Sequence, residues 1–142
     1  MSGWIKRARS RDERGAAAVE FALISIILLT LLIGIIQASI FFWSYQTGAN
    51  AAREGARQYA VDPCDKTGLA NDQKVKDFVG GAASGTVTVG HTFSGSNPPV
   101  TGDEVTVTVS YDAPSIGGLL PDFPAVVKTA SARVEDVQDC TP

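Results

Sequence analysis

The sequence predicts an α+β chain: one long N-terminal helix, with a membrane-spanning half and an exported half, packed on a small antiparallel sheet of about three strands. Three observations predict it. Residues 21–43 carry no charge and are almost solidly apolar. Between Ala16 and Tyr59 only Gly34, Gly48 and Gly55 weaken a helix, each by about 1 kcal/mol relative to alanine. Beyond residue 85, valine and other apolar residues recur at every second position, as in strands with one buried face.

Charge narrows the function classes. The chain has 142 residues and a formal net charge of -3, which is the sum of two unlike parts. Residues 1–15 hold five basic side chains (Lys6, Arg7, Arg9, Arg11, Arg14) against Asp12 and Glu13. The remainder holds seven basic residues against thirteen acidic. Its larger part repels phosphate, so nucleic acid is not an expected partner. The aliphatic content and valine-rich runs argue against a disordered chain. A membrane-inserted or exported protein remains.

Taken in order, residues 21–43 would make a helix of about 35 Å, enough to cross a hydrocarbon core of roughly 30 Å. Ser25 and Thr30 are the only polar residues in the nearly solid Ile/Leu run between residues 24 and 36, so the helix is apolar all round and suits lipid. Phe41, Phe42, Trp43 and Tyr45 cluster at its far end, as aromatic side chains do at a lipid–water boundary. The basic flank at the near end places the N-terminus in the cytoplasm and residues 44–142 outside, periplasmic or extracellular. Three fates suit such an N-terminus. A signal peptide could be cut at Ala49-Asn50-Ala51, although its apolar core would be much longer than the usual 7–15 residues. A permanent anchor needs nothing further. The third fate is proteolytic removal of the basic leader alone.

That third fate rests on Gly15-Ala16-Ala17-Ala18-Val19-Glu20-Phe21. A carboxylate beside a spanning segment is costly and needs a partner. Cutting after Gly15 would create an α-amino group on Ala16, four residues before Glu20 and on the same helix face. The new cation can pair with Glu20 of its own chain or of a neighbour. Gly15 removes a side chain that would obstruct a protease at the backbone.

At these residues the chain resembles the type IV pilin-like superfamily. More closely, it resembles the TadE-like pseudopilins of the tight-adherence (Flp) pilus machinery, through residues 15–23 and through Ala51-Ala52-Arg53-Glu54-Gly55-Ala56-Arg57. Family members often carry proline a few residues after the Glu-Phe pair, and this chain does not. The resemblance implies a pilin-like fold and a minor pilin, or pseudopilin, that takes part in pilus assembly. It implies as partners a prepilin peptidase, other pilins or pseudopilins, the inner-membrane assembly platform and the lipid bilayer. The expected division is a leader over 1–15, a long helix over 16–61 with 21–43 in the membrane, and an exported domain over 62–142.

Past the span, Gly48, Ala52 and Ala56 form a stripe of small residues at four-residue spacing, with Ala51 and Gly55 beside it. Such a stripe permits close helix approach. It reads either as a seam between subunits or as the seat of the helix on this chain's own sheet, and both readings stay open. Glu54 and Arg57, three apart, can pair on the helix surface. The helix should end before Pro63, which also disfavours helical backbone at Asp62.

The exported domain begins with a short amphipathic helix over residues 69–79, its apolar face drawn from Leu69, Val75, Phe78 and Val79, ended by Gly80-Gly81. Strands follow over 86–93, with Val87, Val89, His91 and Phe93 on one face, and over 104–111, with Val105, Val107, Val109 and Tyr111. A third covers 126–137, with Ala130, Ala132 and Val134 inward, and residues 94–102 form a turn. Three strands need a cover, and the far half of the long helix supplies it. Cys64 and Cys140, both on the exported side, are expected to form a disulfide. Closing a loop of about 77 residues is worth about 4.5 kcal/mol in the chain-entropy model. The connection over 113–124 is apolar for a loop and could serve as core, membrane contact or partner contact.

No catalytic constellation appears. His91, the single histidine, lies on an apolar strand row and reads as a packed side chain rather than a general base. No phosphate loop, nucleophile elbow or paired-histidine motif is present. Two cysteines and one histidine are too few for a zinc site, and the aspartates lack calcium-loop spacing. The expectation is a chain that is no enzyme, needs no cofactor or metal, and is itself the substrate of a peptidase. The rival is an uncleaved, signal-anchored extracytoplasmic binding domain outside any pilus.

Overall fold

The computed structural model of the chain describes the backbone of residues 5–63, 69–95, 98–117 and 123–135, and the side chains there except at 5–14 and 69. Helix α1 runs Ile5–Val61 and helix α2 Leu69–Val79, the latter continued by a 3₁₀ turn over Gly80–Ala82. Strands β1 (Thr88–Phe93), β2 (Glu104–Tyr111) and β3 (Val126–Arg133) complete the order. Internal contacts divide the chain into two compact units, Met1–Ala38 and Ser39–Pro142.

The first unit is helical wherever it is described. Its large apolar side chains lie open, Phe21 at 73% exposure and Ile27 at 68%. Mean hydropathy reaches 2.7 within Gly15–Val61, over a stretch of which none is buried inside the protein. An apolar helix that buries no residue from Gly15 until Gln37, itself 3% exposed, fits a membrane anchor.

The second unit is a helix on a sheet. All neighbouring strands are antiparallel in the order β1-β2-β3. Strand β2 is central and alternates as the sequence predicts, with Val105, Val107, Val109 and Tyr111 buried. Phe93 pairs with Val105, and Val105 in turn with Ala132, so this face of the sheet is mainly apolar, with His91 on one edge strand and Lys128 on the other. Ala51, Ala52, Ala56, Tyr59 and Ala60 of α1 join the strand valines in one core. Threonines occupy the other face, where Thr108 and Thr129 share a hydrogen bond of 3.3 Å.

Two strand boundaries and one buried position shift from expectation. The β1 ladder starts at Thr88 rather than residue 86. Strand β3 ends at Arg133, because the chain there turns toward the end of α1. Val134 N–H still bonds the Asp103 carbonyl at 2.8 Å, whereas Glu135 N–H donates to Ala60 O at 3.3 Å. Within α2 the buried positions are Asn71, Val75 and Val79, four residues apart. Phe78, expected among them, is 51% exposed. It lies at the rim of the arc centred on Val75, beyond Asn71, whose amide reaches the Asp62 carbonyl at 3.3 Å. Helix α1 stops at Val61, as Pro63 requires. Its Ala60 carbonyl accepts from Glu135 N–H, and the Asp62 carbonyl just past its end accepts from the Asn71 amide.

Candidate functional site

The residues of interest lie on α1 in two groups. The first is Gly15 to Phe21, where the backbone is helical and every residue is exposed. No heavy atom stands within 4 Å of the place a β-carbon on Gly15 would occupy. Glycine has the lowest helix propensity in this stretch, so the helix opens there at least cost. Ala16 and Glu20 are one turn apart on the same face. Among the described residues, no basic side chain forms an ion pair with Glu20.

The second group is the small-residue stripe. Gly48, Ala52, Gly55 and Ala56 are all buried, and they face the chain's own sheet. A β-carbon on Gly48 would come within 2.8 Å of the Tyr111 hydroxyl oxygen and 3.1 Å of Val126. One on Gly55 would come within 2.9 Å of Val75 and 3.2 Å of Val107. The glycines therefore set how closely helix and sheet approach. Of the two readings of the stripe, the seat on the sheet is the arrangement in this structure. Ala52 at 0% and Ala56 at 1% exposure leave no side-chain surface for a neighbour in the folded subunit.

Polar side chains fix the two ends of this seam. At one end, the Tyr111 hydroxyl donates to the Ser44 main-chain carbonyl at 2.5 Å, and the Ser44 hydroxyl donates to Ala82 O at 2.7 Å. Burial pushes the Tyr111 phenol above its ordinary pKa, against a smaller opposing pull from the Gly48 main chain. At the other end, the Tyr59 hydroxyl donates to Asp72 Oδ1 at 2.7 Å. The His91 ring stacks on Tyr59 with centroids 4.3 Å apart, and its Nδ1 stands 3.9 Å from the same carboxylate oxygen. His91, on β1, thus packs on Tyr59 of α1 and stands beside Asp72 of α2. Ser44, Asn71 and the Tyr59–Asp72 bond carry no periodic signal, and sequence reasoning missed them.

The Glu54–Arg57 pair forms on the outer face, through hydrogen bonds of 3.1 and 3.2 Å. The Arg57 guanidinium holds the Glu54 carboxyl below its ordinary pKa, with help from Gln58, and Glu54 raises Arg57 in turn. The expected Cys64–Cys140 disulfide lies outside the described residues. In the apolar connection, Phe123 stacks on Phe41 of α1 with centroids 4.5 Å apart. Lys128 of β3 places its Nζ 3.0 Å from the centre of the Tyr45 ring.

Comparison with known proteins gives one family. A family model described as TadE-like protein matches residues 15–57. The match begins at the glycine of the expected cut and ends just beyond the small-residue stripe. No curated protein and no solved structure matches the chain.

Proposed function

Starting from residues 15–57 as a TadE-like segment, which points to the tight-adherence pilus system, we propose that the chain is a minor pilin, or pseudopilin, of an Flp-type pilus. A prepilin peptidase cuts it after Gly15, and the new Ala16 amine neutralises a Glu20 carboxylate as the subunit docks. The observation that carries this reading is the exposed segment from Gly15 to Phe21 at the head of an apolar helix that buries no residue before Gln37. Such a helix suits lipid before assembly and helices of other pilins after it. The N-terminus faces the cytoplasm, and the helix–sheet domain is outside. There it meets other pilus components, while the inner-membrane assembly platform receives the anchor. The chain is a substrate and a building part, with no chemistry of its own.

The intact mass of the membrane-extracted protein tests the proposal. A chain starting at Ala16 is expected. One starting at Met1 or Ser2 leaves an anchored binding domain, and one starting at Ala52 means ordinary secretion. Either of those results ends the pseudopilin reading.

A further inference from the structure

The end of the helix–sheet unit that carries Tyr111 and Val126 lies beside Ser44 and Gly48 of α1. This is where the apolar span, residues 21–43, gives way to the exported part. The connection between β2 and β3 returns to the helix here, and it does so on a residue of the span itself. Phe123 stacks on Phe41. Whatever depth Phe41 takes in a bilayer, Phe123 shares it.

The side chains around this contact are graded. Phe41 and Tyr45 lie one turn apart, with ring centroids separated by 6.3 Å. On Phe41 sits another phenyl ring, and over Tyr45 sits the Lys128 ammonium group. Moving away from the span, an apolar pair gives way within about 6 Å to an aromatic ring carrying a hydroxyl and a cation. The polar zone on each side of a bilayer is about 5–7 Å deep. Aromatic residues with a polar tip collect there, and a lysine reaches outward to lipid phosphates. Trp43, Tyr45 and Phe123 each keep between 40% and 53% of their surface open, and Ile116, in the same connection as Phe123, keeps 45%.

We propose that this end of the exported unit is a second membrane contact, in which Phe123 and Ile116 enter the outer leaflet at about the depth of Trp43 and Lys128 pairs with headgroup phosphate. The occupant is lipid, because the surface continues from the span and carries its cation at the level where phosphate stands. The contact holds the sheet down on the bilayer and fixes which of its surfaces face away from the membrane. It rests on the reading of residues 21–43 as a membrane anchor, and the test separates the two.

The full chain is placed in phosphatidylcholine/phosphatidylglycerol vesicles whose acyl chains carry bromine just below the glycerol. Trp4→Phe leaves Trp43 as the single reporter of the span. Adding Trp43→Phe and then Phe123→Trp, or Ile116→Trp in a second variant, moves the reporter to the loop. The expected result is a loss of fluorescence by bromolipid at 116 and 123 comparable with that at Trp43, and little further loss with aqueous iodide. Quenching at Trp43 with iodide-accessible, lipid-unquenched reporters at 116 and 123 overturns the loop contact and leaves the anchor intact. Shielding of both loop reporters from lipid and iodide alike means a protein occupant, which also overturns it. A Trp43 that bromolipid does not quench overturns the anchor and the loop contact together.

Discussion

Tyr111 and Gly48 fit one another: a β-carbon on Gly48 would stand 2.8 Å from the Tyr111 hydroxyl oxygen and 3.3 Å from its ring. That gap lets a strand residue reach the main-chain carbonyl of Ser44 across 67 positions of sequence. Alanine at position 48 recovers about 1 kcal/mol of helix propensity, and crowding of a packed site costs about 1–3 kcal/mol. Gly48→Ala is therefore expected to destabilise the exported unit by about 1 kcal/mol. Tyr111→Phe removes the closest atom. In that background the same substitution should cost less, and thermal unfolding of the four proteins of the double-mutant cycle in detergent measures the coupling. Additive effects would mean that Gly48 and Tyr111 do not set the approach.

The same tyrosine gives a pH dependence. Burial raises the Tyr111 pKa above its ordinary 10.0, so the fold favours the neutral phenol. The stability this contributes is fully present below about pH 10 and is lost as pH rises through the folded-state value. Denaturant unfolding between pH 8 and about 11.5 should show wild type losing stability more steeply than Tyr111→Phe, with the two curves converging at the alkaline end. Parallel curves would contradict the assignment.

Tyr59→Phe keeps the ring on His91 and deletes the 2.7 Å bond to Asp72. Asp72 is partly exposed, with 20% of its side-chain surface open, so water recovers part of the loss. The expected cost is about 1 kcal/mol, below the roughly 1.5–3 kcal/mol usual for a bond to a charged group. A chemical-denaturation midpoint measures it, and an unchanged midpoint would show that the bond does not join α2 to α1.

How much of this was legible in the sequence depended on whether the signal was local. Helix α2 and strand β2 match expectation at both ends, because period and breakers lie inside the segments themselves. Pro63 fixed the end of α1 for the same reason. Phe78 was misplaced because helical period gives an arc, and contacts from other elements decide how wide the buried part of it is. Asn71 took the adjoining buried position through a bond to Asp62, nine residues away. Gly48, Ala52, Gly55 and Ala56 were visible as a stripe, yet a stripe of small residues does not say what lies against it. Val107 and Tyr111 supply that answer from more than fifty residues along the chain. Near the start of the span the relation is reversed, since Gly15 and Glu20 carry their meaning in sequence spacing, and among the described residues Glu20 forms no ion pair.

Glu20→Ala tests that spacing. Membrane insertion should be unchanged, because the span is intact and has lost a charge near its edge. Incorporation into pili should fall to background, as measured by subunit content of sheared filaments against the membrane fraction. Normal incorporation would refute a docking role for the carboxylate.

The seam between α1 and the sheet also sets an order of events. Residues 44–60 are synthesised before residues 104–134, and a helix forms from local contacts while the sheet must wait for distant ones. During that interval the glycine–alanine face of each new chain is bare. A bare face of small residues can accept a neighbouring helix as well as a sheet. Nascent chains therefore face a kinetic choice between self-folding and pairing with one another, decided by how soon Tyr111 reaches Ser44. Slowing delivery of the strands, or crowding young chains together, should divert molecules into helix-paired dimers that the finished subunit, with its seam closed, does not form.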